Sequence, residues 1–339
     1  RTLAAVAVLA ATTTGVGGLA PAPTAVAAGG YTALAPTRIL DTREGLGAAA
    51  APVGPGATID VQVTGVGDVP SDGVAAVVLN LTGTQPTAAT FVTAYPAGGT
   101  RDGSNLNLLP GQTDANLVVA TVGTGGKVSL YNAFGNTHLI ADVAGWFPAG
   151  SGYRPLAPAR ILDTRDGNGA AAAPVGADAA IDVQVTGVGG VPSTGVGAVV
   201  LNLTGTEHTA ATFISAYPAG GTREGSNLNL FPGSNDANLV IATVGDGGKV
   251  SLYNAFGTTH LIADVAGWFP AGSDYGALAP ARVLDTREGL GAPQAPLGAG
   301  ATIDVQVTGV GGVPSTGVGA VVLNLTGTNP TAPTFLSAY

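Results

Sequence analysis

The chain of 339 residues carries 12 basic against 21 acidic side chains, a net charge of −9, and neither cysteine nor methionine. That excludes a disulfide framework and a thiol-based metal or redox centre, and it disfavours nucleic acid or an anionic membrane as partner, since both call for a basic face. With 54 Gly and 23 Pro, 45% hydrophobic and only 10% charged residues, the composition is that of a turn-rich β protein held by packed cores.

The first stretch, Leu3 to Ala11, is a short apolar run that soon meets Gly15, Pro21 and Pro23, and then Ala25, Val26 and Ala27. It is too short to span a bilayer, and the small-residue pattern Ala-Val-Ala precedes cleavage sites. Residues 1–27 therefore read as a secretory signal peptide with a truncated basic region. A secreted protein, extracellular or cell-wall associated, with no membrane span, is the expectation.

Beyond it the sequence repeats. Leu40 to Arg43, Leu-Asp-Thr-Arg, returns at Leu162 to Arg165 and at Leu284 to Arg287, 122 residues apart each time and with no insertion or deletion between copies. A period this long marks serial globular domains, not a solenoid. The domains fall at 28–150, 151–272 and 273–339, the third incomplete because Tyr339 is the counterpart of Tyr217 and Tyr95. Short Pro-Ala-Gly linkers, Pro148 to Gly150 and Pro270 to Gly272, predict a semi-rigid rod of beads.

Within the first unit, Thr37 to Arg43 reads as an opening strand with Glu44 to Gly47 as its turn. Thr58 to Thr64 alternates cleanly, with Ile59, Val61 and Val63 on one face and Asp60, Gln62 and Thr64 on the other. Val74 to Thr84 is more continuously apolar, as a central strand is. Phe91 to Tyr95, Asn105 to Leu108, Leu117 to Val122, Lys127 to Tyr131 and His138 to Phe147 complete eight short strands in about 120 residues. The fold class is all-β, tandem antiparallel β-sandwich-like domains. An internal similarity pairs Val78 to Gly98 with Val118 to Phe134 and suggests two related hairpins, the second closed by Gly125 and Gly126.

In the last strand simple alternation places Ile140, Asp142, Ala144 and Trp146 on one face, taken as the core side. A carboxylate there requires a cation, so Asp142 is expected to pair with Arg38 or Arg43, and Asp264 with Arg160 or Arg165, as structural closures of each domain. On that reading Asp142→Ala would cost about 3–5 kcal/mol.

Little else points to chemistry. His138, His208 and His260 lack partners at metal-ligand spacing, and no serine sits in a nucleophile elbow. Asp41 to Gly47 faintly resembles a calcium loop but offers too few oxygens, so no metal or other cofactor is expected. Lys127 and Lys249 invite the thought of an isopeptide crosslink, against the plainer reading of exposed lysines beside a turn. The aromatic residues that could face a ligand are Tyr95, Tyr131 and Trp146, with Tyr217, Tyr253 and Trp268 in the second unit.

Taken together, Leu34 to Arg43, Leu79 to Thr84, Ser104 to Asn107 and Ala141 to Phe147 resemble a repeat module of secreted actinobacterial proteins, found in tandem in surface proteins and beside cell-wall hydrolases. The resemblance covers nearly all the chain after residue 30. It implies an accessory role and supplies no catalytic residues. The expected function is that of a non-catalytic repeat protein, a stalk, spacer or adhesion module. The alternative is a carbohydrate- or cell-wall-binding module accessory to an exported hydrolase, with polysaccharide or a surface protein as partner.

Overall fold

The computed structural model describes residues 3–10 and 30–338. Strand β1, Leu3–Ala10, precedes the first repeat. That repeat consists of β2 (Thr32–Asp41), β3 (Thr58–Gln62), β4 (Val74–Thr84), β5 (Thr90–Pro96), β6 (Leu106–Leu108), β7 (Thr113–Thr121), β8 (Lys127–Asn132) and β9 (His138–Pro148). They form two antiparallel four-stranded sheets, a larger one in the order β2-β9-β4-β7 and a smaller one in the order β3-β8-β5-β6. The second repeat has the same topology. Its β10 (Arg154–Asp163), β12 (Val196–Thr206), β15 (Asp236–Thr243) and β17 (His260–Pro270) make the larger sheet, in the order β10-β17-β12-β15. Its β11 (Ala179–Gln184), β13 (Thr212–Pro218), β14 (Leu228–Leu230) and β16 (Lys249–Asn254) make the smaller, in the order β11-β16-β13-β14. The protein is all-β, and no helix among the described residues is long and apolar enough to cross a membrane.

Each complete repeat buries its first core between its two sheets. In the first repeat Val61 of β3, Val77, Leu79 and Leu81 of β4, Val118 and Ala120 of β7, and Val128 and Leu130 of β8 meet there, all buried. The apolar character of β4 on both faces has a second cause. Ala76 and Val78, which point away from that core, join Leu117, Val119 and Phe147 in a further core with Ala198, Val200, Leu239 and Phe269 of the second repeat, around the fully buried Tyr153. A strand buried on both sides reads as a continuous apolar run. The repeats are thus not beads on a rod: their larger sheets pack face to face through a shared core, with Phe147 and Tyr153 at 4.6 Å and Tyr153 and Phe269 at 5.2 Å between ring centroids.

Two expectations, one drawn from simple alternation and one from the internal similarity, are corrected. In β9, Val78 pairs with Gly145 while Leu79 pairs with Val143, so Ala144 is an extra, bulged residue. The bulge switches faces: Leu139, Ala141 and Val143 point into the first core, as does Trp146, and Asp142 lies on the opposite face. The Ala144 carbonyl at the bulge accepts a 2.6 Å hydrogen bond from the Tyr31 hydroxyl, and Tyr153 donates to Ala266 at the same place in the second repeat. The paired segments read as hairpins are instead arches, β4 and β7 lying in the larger sheet and β5 and β8 in the smaller. The internal similarity is real as pairing, because β4 bonds to β7 and β5 to β8. The Gly125–Gly126 turn, positive in φ at both residues, carries the chain between layers, not between neighbouring strands.

Among the described residues of the third repeat, β18 (Ala320–Gly327) is the one strand, and it pairs with β1. The segments matching β2 and β3 find no counterpart of β9 and β8 within the sequence to bond to. The turn after the Leu-Asp-Thr-Arg motif nonetheless forms in all three copies: Asp41 and Leu46, Asp163 and Asn168, Asp285 and Leu290 make the same bridge. It needs Gly47, whose φ is +70° and whose place leaves no room for a Cβ against the Ile39 carbonyl. Gly47→Ala should cost about 2 kcal/mol or more, a left-handed residue being itself worth 1–2, read as a lowered denaturation midpoint.

Candidate functional site: charged clamps and an aromatic face

Every residue of the Leu-Asp-Thr-Arg motif has a structural task. Leu40 is fully buried in the first core. Asp41, also fully buried, accepts from the Arg43 backbone N–H at 3.0 Å, from Arg43 Nε at 2.9 Å and Nη2 at 2.5 Å, and from Arg38 Nη1 at 3.4 Å. The Thr42 hydroxyl accepts from the Leu139 backbone and contacts His138 Nδ1 at 3.0 Å, tying the end of β2 to β9. Hydrogen bonds from Arg43 hold the Asp41 carboxyl well down, at about 2, and the Arg165 guanidinium lowers Asp163 likewise. His260 repeats the contact with Thr164, while the His208 ring faces the Phe231 carbonyl.

The expected closure pairs are present with one partner each. Arg38 donates to Asp142 through Nε at 2.9 Å, and Arg160 to Asp264 at 2.9 Å, whereas Arg43 and Arg165 serve Asp41 and Asp163. The buried carboxylate of the cluster is therefore Asp41, which alternation reading missed although it sits in the repeated motif. Asp142 is on the outer face, its side chain 20% exposed and Arg38 46%. At that exposure the pair contributes little, so Asp142→Ala should lower stability by under about 1 kcal/mol in denaturant melts, not by the amount expected for a core carboxylate. Asp264 differs because the first repeat covers it, leaving 4% of its side chain exposed. Burial pushes its pKa up, against the pull of Arg160.

The two tryptophans are not ligand-facing: Trp146 belongs to the first core and Trp268 packs against the second. The tyrosines lie elsewhere. Cross-strand register puts Thr58, Tyr131 and Thr93 in one row across the smaller sheet and Asp60, Ser129 and Tyr95 in the next, on the face away from the core. Two phenylalanines that sequence reading passed over complete this surface. Phe91 lies 6.1 Å from Tyr131 and 6.0 Å from Phe134, which is 57% exposed. Arg101 stacks on Tyr131 at 3.6 Å. Phe213, Tyr217, Tyr253 and Phe256 repeat the arrangement, with Arg223 on Tyr253 at 3.8 Å and the Tyr253 hydroxyl donating to Asp178 at 2.8 Å. The rings are tilted by 50° and 82° to one another, so they do not form a flat platform. Among the described residues no group of three His, Asp or Glu side chains could hold a metal ion.

No family model and no curated protein matches the chain. Among solved structures, the N-terminal CBM22-1–CBM22-2 tandem domain of Paenibacillus barcinonensis Xyn10C is aligned over 70% of this chain and all of that one, at 9% identity and a TM-score of 0.21. A likeness of that size carries no argument about fold or function.

Proposed function

We propose that this is a non-catalytic, secreted repeat protein that works as a multivalent adhesion module, its contact surface being the outer face of each smaller sheet. The observation that carries the reading is the aromatic cluster that recurs in both complete repeats, Phe91, Tyr131 and Phe134 with Arg101 in one, and Phe213, Tyr253 and Phe256 with Arg223 in the other. Amphipathic aromatics clustered beside Arg and left partly in water are what binding surfaces concentrate. Because the larger sheets pack on each other, the smaller sheets face away from the shared core and can engage together, which multiplies affinity without new contacts. A plain spacer is less well supported, since domains that share a core shorten the molecule. Export of the mature chain, beginning near Ala28, belongs to the same proposal.

A second reading is that the ligand is a cell-wall or extracellular polysaccharide, favoured by the polar groups flanking the rings, Thr58, Asp60 and Asp178. Affinity electrophoresis and pull-down on insoluble cell-wall polysaccharide and on intact cells decide between them. Retention on cells that falls tenfold or more for the double variant Tyr131→Ala, Tyr253→Ala supports the adhesive face. Retention on purified polysaccharide with the same loss selects the carbohydrate reading. Unchanged retention on both would refute the aromatic cluster as the contact surface.

A further inference from the structure

The contacts between repeats recur along the chain. Asn202 Nδ2 donates to the Ser104 carbonyl, and 122 residues further on Asn324 Nδ2 donates to the Ser226 carbonyl. Thr121 Oγ1 donates to Leu156 at 3.2 Å, and Thr243 Oγ1 to Leu278 at 3.3 Å. The same operation therefore carries the first repeat onto the second and the second onto the third. How far that operation turns is set by the repeat starts. Residues 30, 152 and 274 are counterparts, and they meet: a Cβ added to Gly30 or to Gly152 would run into the Asp274 carboxylate. In a straight row residue 30 would lie two domains from residue 274. The edge strands agree, because β7 touches β15 and β10, while β1, paired with β18 as β15 is with β12, touches β7, β15 and β2. Three repeats thus surround one axis, and the operation is a third of a turn, which closes instead of propagating.

Among the described residues one seat in this ring is open. In the second repeat the face bearing Arg160, Asn202 and Asp264 is covered by the loop around Asp102 and Ser104 of the first, leaving Asn202 5% and Asp264 3% exposed. In the first repeat the same face, Arg38, Asn80 and Asp142, is covered by no other repeat among the described residues, and Asn80 is exposed. It has the residue types of the filled seat and the same pairing, Arg38 to Asp142 as Arg160 to Asp264. We propose that three complete repeats of this kind form a closed ring, and that the Arg38, Asn80 and Asp142 face is the seat for the loop and edge strand of a complete third repeat. This inference is independent of the adhesive reading, since it concerns the opposite face of the sandwich.

The test uses a chain from Ala28 with a second copy of residues 218–272 joined after Tyr339, the counterpart of Tyr217, so that the third repeat has its second half and β1 does not compete for its place. The native sequence has no cysteine, so pairs can be introduced cleanly. Asn80→Cys is combined with Ser226→Cys in the appended copy only, and Ser104→Cys with Asn202→Cys serves as the reference seat. Mild oxidation should join both pairs within one molecule, with a mobility shift on non-reducing gels and a monomeric mass by light scattering. A reference pair that closes while the Asn80 pair stays reduced, or joins only between molecules, overturns the ring. Should the cysteines disturb the seat, small-angle scattering of the extended chain without them reads the same closure: a compact monomer is expected, and growth into end-to-end oligomers with concentration refutes it.

Discussion

Asp41→Ala should destabilise the first repeat by about 2–4 kcal/mol, several times the effect of Asp142→Ala, because it removes the fully buried carboxylate of the opening turn. The loss has two parts. The Arg43 backbone N–H loses its partner beneath the turn, and two guanidinium groups lose the charge-assisted hydrogen bonds that hold them across the end of β2. Arg38 and Arg43 are 46% and 40% exposed, so water takes over part of their hydration and the cost stays below that of stranding a cation in a core. The pH dependence gives a second reading of the same clamp. The folded Asp41 carboxyl sits at about 2, below its unfolded value, so its contribution is complete above the unfolded pKa and fades as pH falls from about 4 toward 2. Urea melts at pH 7 and pH 3 should therefore differ less for Asp41→Asn than for the native chain. Equal acid sensitivity in the two would mean that the clamp is not what acid removes.

The regular part of this fold was legible because local rules set it. Strict alternation in Thr58 to Thr64 became β3 with Val61 inward, and the eight short segments expected in a complete repeat became eight strands. What failed was long-range. Alternation assigns faces only while the register is unbroken, and the extra Ala144 in β9 reversed Trp146 relative to Asp142. No pattern in a single strand announces a bulge; its nearest sign here is Gly145 beside the ring of Tyr31. The aromatic cluster was half seen: Tyr95 and Tyr131 were among the rings singled out, whereas Phe91 and Phe134, which complete it, were passed over. The packing of one repeat on the next was not foreseen, yet it had a trace. Val77 to Leu79 is apolar on both faces, a pattern that a two-layer sandwich with one wet side does not need.

Tyr153→Ala should be the most damaging single change at the contact between repeats, costing about 3–5 kcal/mol as for other buried aromatic truncations. Tyr153 is fully buried, packs between Phe147 of the first repeat and Phe269 of the second, and donates its hydroxyl to the Ala266 carbonyl at 3.0 Å. Burial alone drives its phenol well above the usual range, so it stays neutral and keeps that donor at any pH the protein meets. Tyr153→Phe should cost only about 1 kcal/mol, since it keeps the rings together and leaves one carbonyl without its partner. The location of the loss matters more than its size. The cores between the sheets do not include Tyr153, so each repeat should remain folded while the coupling between them is lost. Denaturation that is one transition in the native chain should split into two, and amide exchange should rise in β4, β7, β12 and β15 before it rises in the strands of the smaller sheets. A single transition merely shifted to lower denaturant, with exchange raised evenly in both layers, would show that Tyr153 supports the fold of its own repeat and not the union of two.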